Sequence, residues 1–171
     1  MLDLPGNPVG SLLNTVLEGE ISAGFPVRLA ISKINVDASV EYVGITPAGA
    51  MDVPKGPVDV AWLKLGVRPG EIGSAVISGH YGWKDNIPAV FDNLSLLQKG
   101  DQLSVIDENG ATTTFAVRES RIYGQADDAS EVFISSDGKA HLNLITCTGI
   151  WNAANKSYSQ RLVVFTDKVT K

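Results

Sequence analysis

Short runs in which apolar and polar residues alternate cover most of the chain after position 25. Alternation with a period of two is typical of β-strands that have one buried face and one exposed face. The runs are separated by Gly, Pro, Asn and Asp, the residue types that favour turns. This pattern predicts strands at 27–31, 38–43, 74–78, 103–105, 115–117, 141–146 and 161–166.

Two of these runs have the features of a β-hairpin. The run that includes Val105 and the run that begins at Phe115 are joined by a segment containing Glu108, Asn109 and Gly110. An Asn-Gly pair between alternating runs is a strong hairpin signal, because both residues adopt positive φ angles readily. The sequence therefore predicts that these two strands pair antiparallel.

The number and spacing of the predicted strands indicate the fold class. Seven or eight short strands with few helices are typical of a closed β-barrel or a β-sandwich. Short helical pieces are predicted at 59–65 and 88–97, the second with Pro88 near its first turn. Because long helices do not alternate with the strands, a parallel α/β sheet is disfavoured.

Residues 1–25 differ from the rest of the chain. Apolar residues recur there at helical spacing, at Leu12, Leu13, Val16 and Leu17. The spacing predicts a weak amphipathic helix within an N-terminal arm. The remaining residues, 26–171, are enough for one β-domain but not for two well-packed cores.

Charge and composition exclude several functions. The 171 residues carry a net charge of −5 and no strongly basic window, so a nucleic acid is an unexpected partner. The sequence contains no run of about 18 apolar residues, the length that would predict a transmembrane helix. The first five residues lack the basic and apolar regions of a signal peptide. The single Cys excludes an intrachain disulfide.

That cysteine, Cys147, is the first candidate for chemistry. It follows an apolar run and precedes Gly149, which predicts a position at the end of a buried strand. Lone cysteines are most often small buried apolar residues. A thiol at a strand end beside a loop is nevertheless better placed for exposure, and therefore for nucleophilic attack, than one in the middle of a strand.

Only two histidines could act as its partner. His80 lies between glycines at the end of a predicted strand, where backbone and ligand can approach closely. His141 lies on the same predicted strand as Cys147, and six extended residues span about 20 Å, too far for a hydrogen bond. His80 is therefore the candidate acid or base, although a loop histidine bonded to its own surroundings is the alternative.

Arg161 is the third candidate. It is predicted to open an apolar strand, where a guanidinium must reach solvent, a carboxylate or a ligand. A salt bridge at the strand end is as good an explanation as a binding role.

Together, these three contexts resemble the Cys–His–Arg site of the sortases. The resemblance rests on the stretch 144–147, on His80 at the end of an earlier strand, and on Arg161 on the strand after Cys147. The flanking stretches resemble sortases as well, at 26–29, 51–54, 69–71 and 100–101. Residues 51–54 followed by 60–62 look most like class F, with class E or D next.

The resemblance implies an eight-stranded β-barrel and an extracytoplasmic cysteine transpeptidase of Gram-positive bacteria. Such an enzyme cleaves a Leu-Pro-x-Thr-Gly sorting signal between Thr and Gly through a thioester. It then transfers the acyl group to an amine of a peptidoglycan precursor or a pilin lysine. The resemblance further implies a monomer that needs no metal or organic cofactor. An anchor helix precedes this domain in the precursors of the family, so residues 1–25 would be the juxtamembrane segment of a truncated form.

The resemblance also assigns roles to residues. Cys147 would be the nucleophile, His80 the proton donor to the leaving amine, and Arg161 the group that stabilises the oxyanion. Ile145, Thr146 and Trp151 would contact the substrate, and the loop 124–140 would cover the Leu-Pro end of the signal. Asp85 and Asp92 lie near His80 in sequence, where a carboxylate that orients the ring is less expected than a solvated loop charge.

Two other functions stay open at the level of sequence. One is a hydrolase on the same fold, with water in place of the amine. The other is a peptide-binding module with an inert thiol. A zinc site formed by Cys147, His80 and His141 is disfavoured by the distance between the two residues on one strand.

Overall fold

The computed structural model describes residues 23–170, which form a closed barrel of eight strands. The strands are β1 Pro26–Ile31, β2 Val36–Val43, β3 Val60–Leu63, β4 Gly73–Ser78, β5 Gln102–Asp107, β6 Thr112–Gly124, β7 Ala140–Asn152 and β8 Ser157–Lys168. One short α-helix, α1 Ser130–Phe133, lies between β6 and β7. Single 3₁₀ turns occur at Ser32–Ile34, Lys84–Asn86 and Leu94–Leu96. The predicted mainly β fold is confirmed, and the barrel is the form it takes.

The strand order around the barrel is β1-β2-β3-β4-β7-β8-β6-β5, and β5 pairs with β1 to close it. Two neighbouring pairs are parallel, β2 with β3 and β4 with β7, and the others are antiparallel. Alternate side chains of the strands fill the interior together with Phe91 from the connection between β4 and β5. The largest fully buried side chains are Trp62, Phe91, Phe115 and Leu29. Closure leaves no open sheet edge in the barrel wall.

The predicted hairpin is confirmed between β5 and β6. The Asp107 carboxylate accepts hydrogen bonds from the backbone N–H groups of Asn109 and Ala111, at 2.9 and 3.0 Å. Gly110 has a φ of 80°, which a residue without a Cβ adopts at no steric cost. The Asn-Gly pair thus marks the position of the turn, although Gly110 is the only one of the two residues that has a positive φ.

The helix predicted at 59–65 is wrong, because Val60–Leu63 forms β3. All four residues of β3 are buried, and β3 pairs with β2 on one edge and β4 on the other. A strand that is buried on both faces shows a continuous apolar run instead of alternation, and such a run cannot be distinguished from a buried helix by its period.

The helix predicted at 88–97 is also wrong, apart from the 3₁₀ turn Leu94–Leu96. Its apolar spacing is real, since Phe91, Leu94 and Leu97 are all buried. The segment is an irregular connection that packs these three side chains against the interior of the barrel. The helix-like spacing of these apolar residues therefore results from tertiary packing and not from a continuous helix.

The ends of β7 and β8 differ from the prediction. β7 continues through Cys147 to Asn152, and β8 begins at Ser157, so neither Cys147 nor Arg161 lies at a strand end. The pairing shifts register between Thr148 and Trp151, and Gly149 has a φ of 86°. Gly149 therefore marks a bulge within the strand and does not end it.

The N-terminal arm falls largely outside the described residues, and with it the predicted helix at 12–17. Its last residues contact the barrel. The Phe25 ring lies 6.1 Å from the Trp62 ring, and the Arg68 guanidinium lies 3.8 Å from the centre of the Phe25 ring. Within residues 23–170, no helix has the length and apolar character needed to cross a membrane.

Candidate active site

Cys147 and Arg161 face each other on neighbouring strands. They are paired positions in the antiparallel ladder of β7 and β8. Paired residues of antiparallel strands project to the same face of a sheet, with Cβ atoms about 4.5–5.5 Å apart. The ladder therefore places a guanidinium beside the thiol.

His80 reaches the same site from β4. The parallel ladder of β4 and β7 ends with Ser78 opposite Ile145, and His80 lies two residues beyond it. Two hydrogen bonds continue the connection: the Gly79 N–H donates to the Ile145 carbonyl at 3.1 Å, and the Thr146 hydroxyl donates to the Gly79 carbonyl at 2.8 Å. The residue before His80 is thus attached to β7 just before Cys147.

Gly79 is needed at this point because of the space available. A Cβ at position 79 would lie 2.6 Å from the ring of Phe91 and 2.8 Å from Val90. The Phe91 N–H also donates to the His80 carbonyl, at 3.0 Å. The chain around His80 is therefore packed tightly against the 88–97 segment.

The imidazole of His80 is oriented by a backbone group. Its Nε2 atom lies 2.7 Å from the Pro54 carbonyl oxygen, and its ring meets the edge of Trp83 with centroids 4.8 Å apart. Of the two carboxylates considered from the sequence, Asp92 accepts from the N–H groups of Gly82 and Ala89, and Asp85 lies on the exposed 3₁₀ turn.

Neutral oxygen atoms of β8 itself hold the guanidinium of Arg161. Its Nη1 donates to the carbonyls of Tyr158 and Gln160, both at 3.0 Å, and its Nη2 donates to the Ser157 hydroxyl at 3.2 Å. In the part of the chain that the structure describes, Arg161 forms no salt bridge. Its charge is thus oriented but not neutralised.

Two grooves meet at these three residues, and Cys147, His80, Arg161 and Val53 line both of them. The first, here called the apolar groove, has a volume of about 600 Å³ and includes Met51, Ala129, Val132, Phe133, Ile145 and Val163. The second, here called the aromatic groove, has a volume of about 1010 Å³ and includes Tyr81, Trp83, Ile87, Trp151 and Tyr158. A molecule bound along both grooves would pass over the thiol.

The predicted substrate residues are divided between these grooves. Ile145 is half-buried in the wall of the apolar groove, next to Thr146, whose side chain is only 3% exposed. Trp151 is exposed in the aromatic groove, and its ring lies 5.1 Å from that of Tyr158. The loop 124–140 supplies one wall of the apolar groove through α1 and the residues before it.

His141 lies elsewhere. It is buried at the start of β7, where its ring nitrogens lie 2.7 Å from the Asp167 carboxylate and 2.9 Å from that of Asp137. It lines a separate cavity of about 170 Å³. The structure therefore does not bring His141 to Cys147. Among residues 23–170, no three His, Cys, Asp or Glu side chains are arranged to hold a metal ion.

Sequence reasoning missed the part played by the segment before β3. The sequence singles out the stretch 51–54 only by its resemblance to the sortases. In the structure, the Pro54 carbonyl is the hydrogen-bond acceptor for His80, and Met51 lines the apolar groove. A backbone carbonyl has no residue-type signature, so no pattern of side chains could have identified it. Tyr81 and Tyr158, whose rings lie 5.5 Å apart beside Trp151, were missed for lack of any motif.

Comparison with known proteins assigns the chain to a family. A family profile described as the sortase domain matches residues 29–169, nearly the whole barrel. This chain belongs to the sortase family. No match was found among the curated proteins.

Solved structures support the same fold. Sortase C1 from Streptococcus agalactiae aligns with a TM-score of 0.65 at 24% identity, covering 84% of this chain and 67% of that one. Sortase C-1 from Actinomyces oris aligns with a TM-score of 0.66 at 24% identity, covering 100% and 85%. A lid mutant of sortase A from Corynebacterium diphtheriae aligns with a TM-score of 0.66 at 22% identity, covering 99% and 83%.

The electrostatic state of the thiol follows from two opposing effects. Burial raises the pKa of Cys147 above its ordinary value, and the nearby positive charge of Arg161 lowers it by less. Burial therefore disfavours the thiolate, which is the reactive form of a thiol, and Arg161 offsets only part of this effect.

The reactivity of the thiol should therefore depend on pH in a specific way. We expect the rate of Cys147 alkylation by iodoacetamide to keep rising with pH beyond about 8.5, where an ordinary thiol is half ionised. In Arg161→Gln the curve should move to still higher pH, because the positive charge that favours the thiolate is lost. A rate that is already constant below neutral pH would contradict this account.

Proposed function

We propose that this sortase is a cysteine transpeptidase that cleaves a Leu-Pro-x-Thr-Gly type sorting signal between Thr and Gly and transfers the acyl group to an amine. The observation that carries the proposal is the meeting of Cys147, His80 and Arg161 where the two grooves join. Acyl transfer needs a nucleophile, a proton donor and a group that stabilises negative charge, and these three side chains have those properties.

Cys147 is the proposed nucleophile. Its thiolate attacks the Thr carbonyl carbon, a C–S bond forms, and the C–N bond to Gly breaks as the leaving amine takes up a proton. An incoming amine then attacks the thioester, so a new C–N bond forms and the C–S bond breaks, which returns the thiolate while His80 takes up the proton that the amine loses. Cys147 lines both grooves, which supports this role because the sorting signal and the incoming amine can then reach the thiol from different sides.

His80 is the proposed general acid and base. It donates a proton to the departing Gly amine and removes one from the attacking amine. Its position two residues beyond β4, with Gly79 bonded to Ile145 and Thr146 of β7, supports this role.

Arg161 is the proposed stabiliser of the oxyanion. A tetrahedral intermediate carries negative charge on the former carbonyl oxygen, which pre-oriented donors stabilise most effectively. The bonds from its guanidinium to the carbonyls of Tyr158 and Gln160 support this role, because they orient the group without neutralising it.

The grooves suggest which part of the substrate each one binds. We place the apolar Leu-Pro end of the signal in the apolar groove, against Ile145 and the loop 124–140, because apolar side chains gain most from such a lining. The acceptor amine then approaches through the aromatic groove, past Trp151. Thr146 lines the apolar groove and acts through its hydrogen bond to the Gly79 carbonyl, next to His80.

The wider setting follows from the proposed activity. We propose residues 1–25 as an arm and 26–171 as the catalytic domain, working at the cell surface as a monomer on surface proteins and on a peptidoglycan precursor or a pilin lysine. The resemblance of 51–54 and 60–62 to class F supports assignment to that class, with classes E and D as the alternatives. One similar structure is described as a pilus-related sortase C of Group B Streptococcus.

A direct test is mass spectrometry of the protein after incubation with a library of sorting peptides. We expect one peptide to leave its N-terminal part attached to Cys147 as a thioester, and an added amine such as triglycine to release it as a new amide. Cys147→Ala should form no adduct and should keep its fold, because a small residue in a groove leaves little cavity.

The outcomes separate the alternatives. A thioester that is released only by water, with and without added amine, would indicate a hydrolase on this fold. Alkylation of Cys147 without acylation by any peptide in the library would overturn the proposed activity and leave a peptide-binding module.

The two histidines provide a matched pair of variants. We expect His80→Ala to lower the rate of Cys147 acylation by about 10²–10⁴, the usual contribution of a positioned acid or base. His141→Ala should leave that rate nearly unchanged, although its buried contacts with Asp137 and Asp167 predict a lower melting temperature. Single-turnover acylation and thermal unfolding measure both effects, and the opposite ranking of rates would contradict the assignment.

Arg161→Lys tests whether geometry matters in addition to charge. An ammonium on a flexible stem does not reproduce the fixed donors of a guanidinium. Loss of a well-directed oxyanion donor typically costs about 10²–10³ in rate, so we expect acylation to fall by an amount of that order with the melting temperature nearly unchanged. Acylation at the wild-type rate would leave Arg161 with only a structural role.

A further inference from the structure

The acceptor of the His80 hydrogen bond belongs to a peptide group that is itself held at its other end. The carbonyl of Pro54 lies 2.7 Å from His80 Nε2. The N–H of the same peptide group belongs to Lys55, and it donates to the Glu41 carboxylate, 3.2 Å from Oε2 and 3.4 Å from Oε1. A continuous chain of hydrogen bonds therefore runs from the imidazole through one peptide bond to a carboxylate on β2.

This chain fixes the hydrogen on the imidazole. A carbonyl oxygen only accepts hydrogen bonds, so Nε2 of His80 must carry the hydrogen. In the neutral ring, Nδ1 is then the bare nitrogen, and it is the atom left to take up and release the proton during the reaction. The direction of the Pro54 carbonyl thus decides which ring nitrogen is available.

The carboxylate of Glu41 strengthens the arrangement in two ways. Its bond to the Lys55 N–H holds the plane of the peptide group, and its negative charge polarises that group so that the Pro54 oxygen becomes a better acceptor. The backbone of Glu41 is itself held in place, because Glu41 is paired with Ala61 of β3 in the sheet.

The rest of the segment is also tied down, so its geometry is defined. The Asp52 N–H donates to the Gly44 carbonyl at 3.0 Å, and Met51 forms an isolated bridge with Ile45. Pro54 itself is buried. Glu41 is the side chain that completes this attachment at the peptide group that meets the histidine.

We propose that Glu41 is a positioning residue for catalysis, which acts through the peptide group between Pro54 and Lys55 to hold the imidazole of His80 in the Nε2–H form. This proposal rests on the role of His80 proposed above. Glu41 does not line either groove through its own side chain and touches no reacting atom; its influence passes through the backbone.

The test compares Glu41→Gln and Glu41→Ala with wild type. Glutamine keeps an acceptor oxygen but removes the charge, whereas alanine removes both. We expect single-turnover acylation of Cys147 to fall by about three- to tenfold in Glu41→Gln and by more in Glu41→Ala, as part of the contribution of the acid and base is lost. Nitrogen-15 NMR of the His80 ring should show the Nε2–H form in wild type and a growing share of the Nδ1–H form along the series. Comparison with His80→Ala assigns the signals, because the chain has only two histidines.

Asp59→Asn is the matched control. It removes one negative charge from the same β2–β3 connection without touching the Pro54–Lys55 peptide group, so its acylation rate and ring form should equal those of wild type.

Two results would overturn the proposal: unchanged acylation and ring form in Glu41→Ala, or a loss of activity that follows the melting temperature while the ring form stays the same. If no peptide acylates the wild type, the proposed function fails, but the NMR comparison still decides the role of Glu41.

Discussion

The pairing of β7 with both of its neighbours is the constraint on which the site depends. β7 is hydrogen-bonded to β4 on one edge and to β8 on the other. Its alternate residues Leu142 and Leu144 are fully buried in the barrel core, so Ile145 and Cys147 project to the outer face. A shift of one residue would reverse these faces, and the apolar core therefore also fixes the side on which the thiol lies.

On that outer face a second, smaller apolar cluster forms around Tyr123, Val132 and Val163. It joins β6 and β8 to α1, and it stabilises the loop 124–140 against the sheet that carries Cys147. The apolar groove lies between this loop and the sheet. The apolar groove exists because the loop 124–140 covers the outer face of β7 only in part and leaves space at Ile145 and Cys147.

The sequence was most informative where the residues alternate. The barrel, the β5–β6 hairpin and most strands could be predicted because each has one buried and one exposed face. β3 could not, since burial on both faces removes the alternation from Val60–Leu63. The C-terminal end of β7 and the N-terminal end of β8 were missed for the opposite reason. Residues there, such as Ile150 and Trp151, are exposed, so no buried face imposes an alternation of apolar and polar residues.

The sequence identified the residues of the candidate site but not the contacts that hold them. Cys147, His80 and Arg161 could each be singled out, yet their contexts alone left ordinary structural explanations open, and only a family resemblance connected them. The contacts that orient them involve backbone atoms: the Pro54 carbonyl for His80, and the carbonyls of Tyr158 and Gln160 for Arg161. Such acceptors exist at every residue, so a sequence pattern does not distinguish the ones that are used.

The three side chains also differ in how much support they need. Cys147 and Arg161 lie within ladders, where the backbone of each neighbour already fixes their positions. His80 lies beyond the end of β4, where the ladder no longer fixes the backbone. Close packing at Gly79, the ring of Trp83 and the Pro54 carbonyl supply what the ladder does not. Because proton transfer depends steeply on distance and direction, the role proposed for His80 requires these additional contacts. Substitutions at the residues that make them should therefore have the largest effect on that role among changes remote from the thiol.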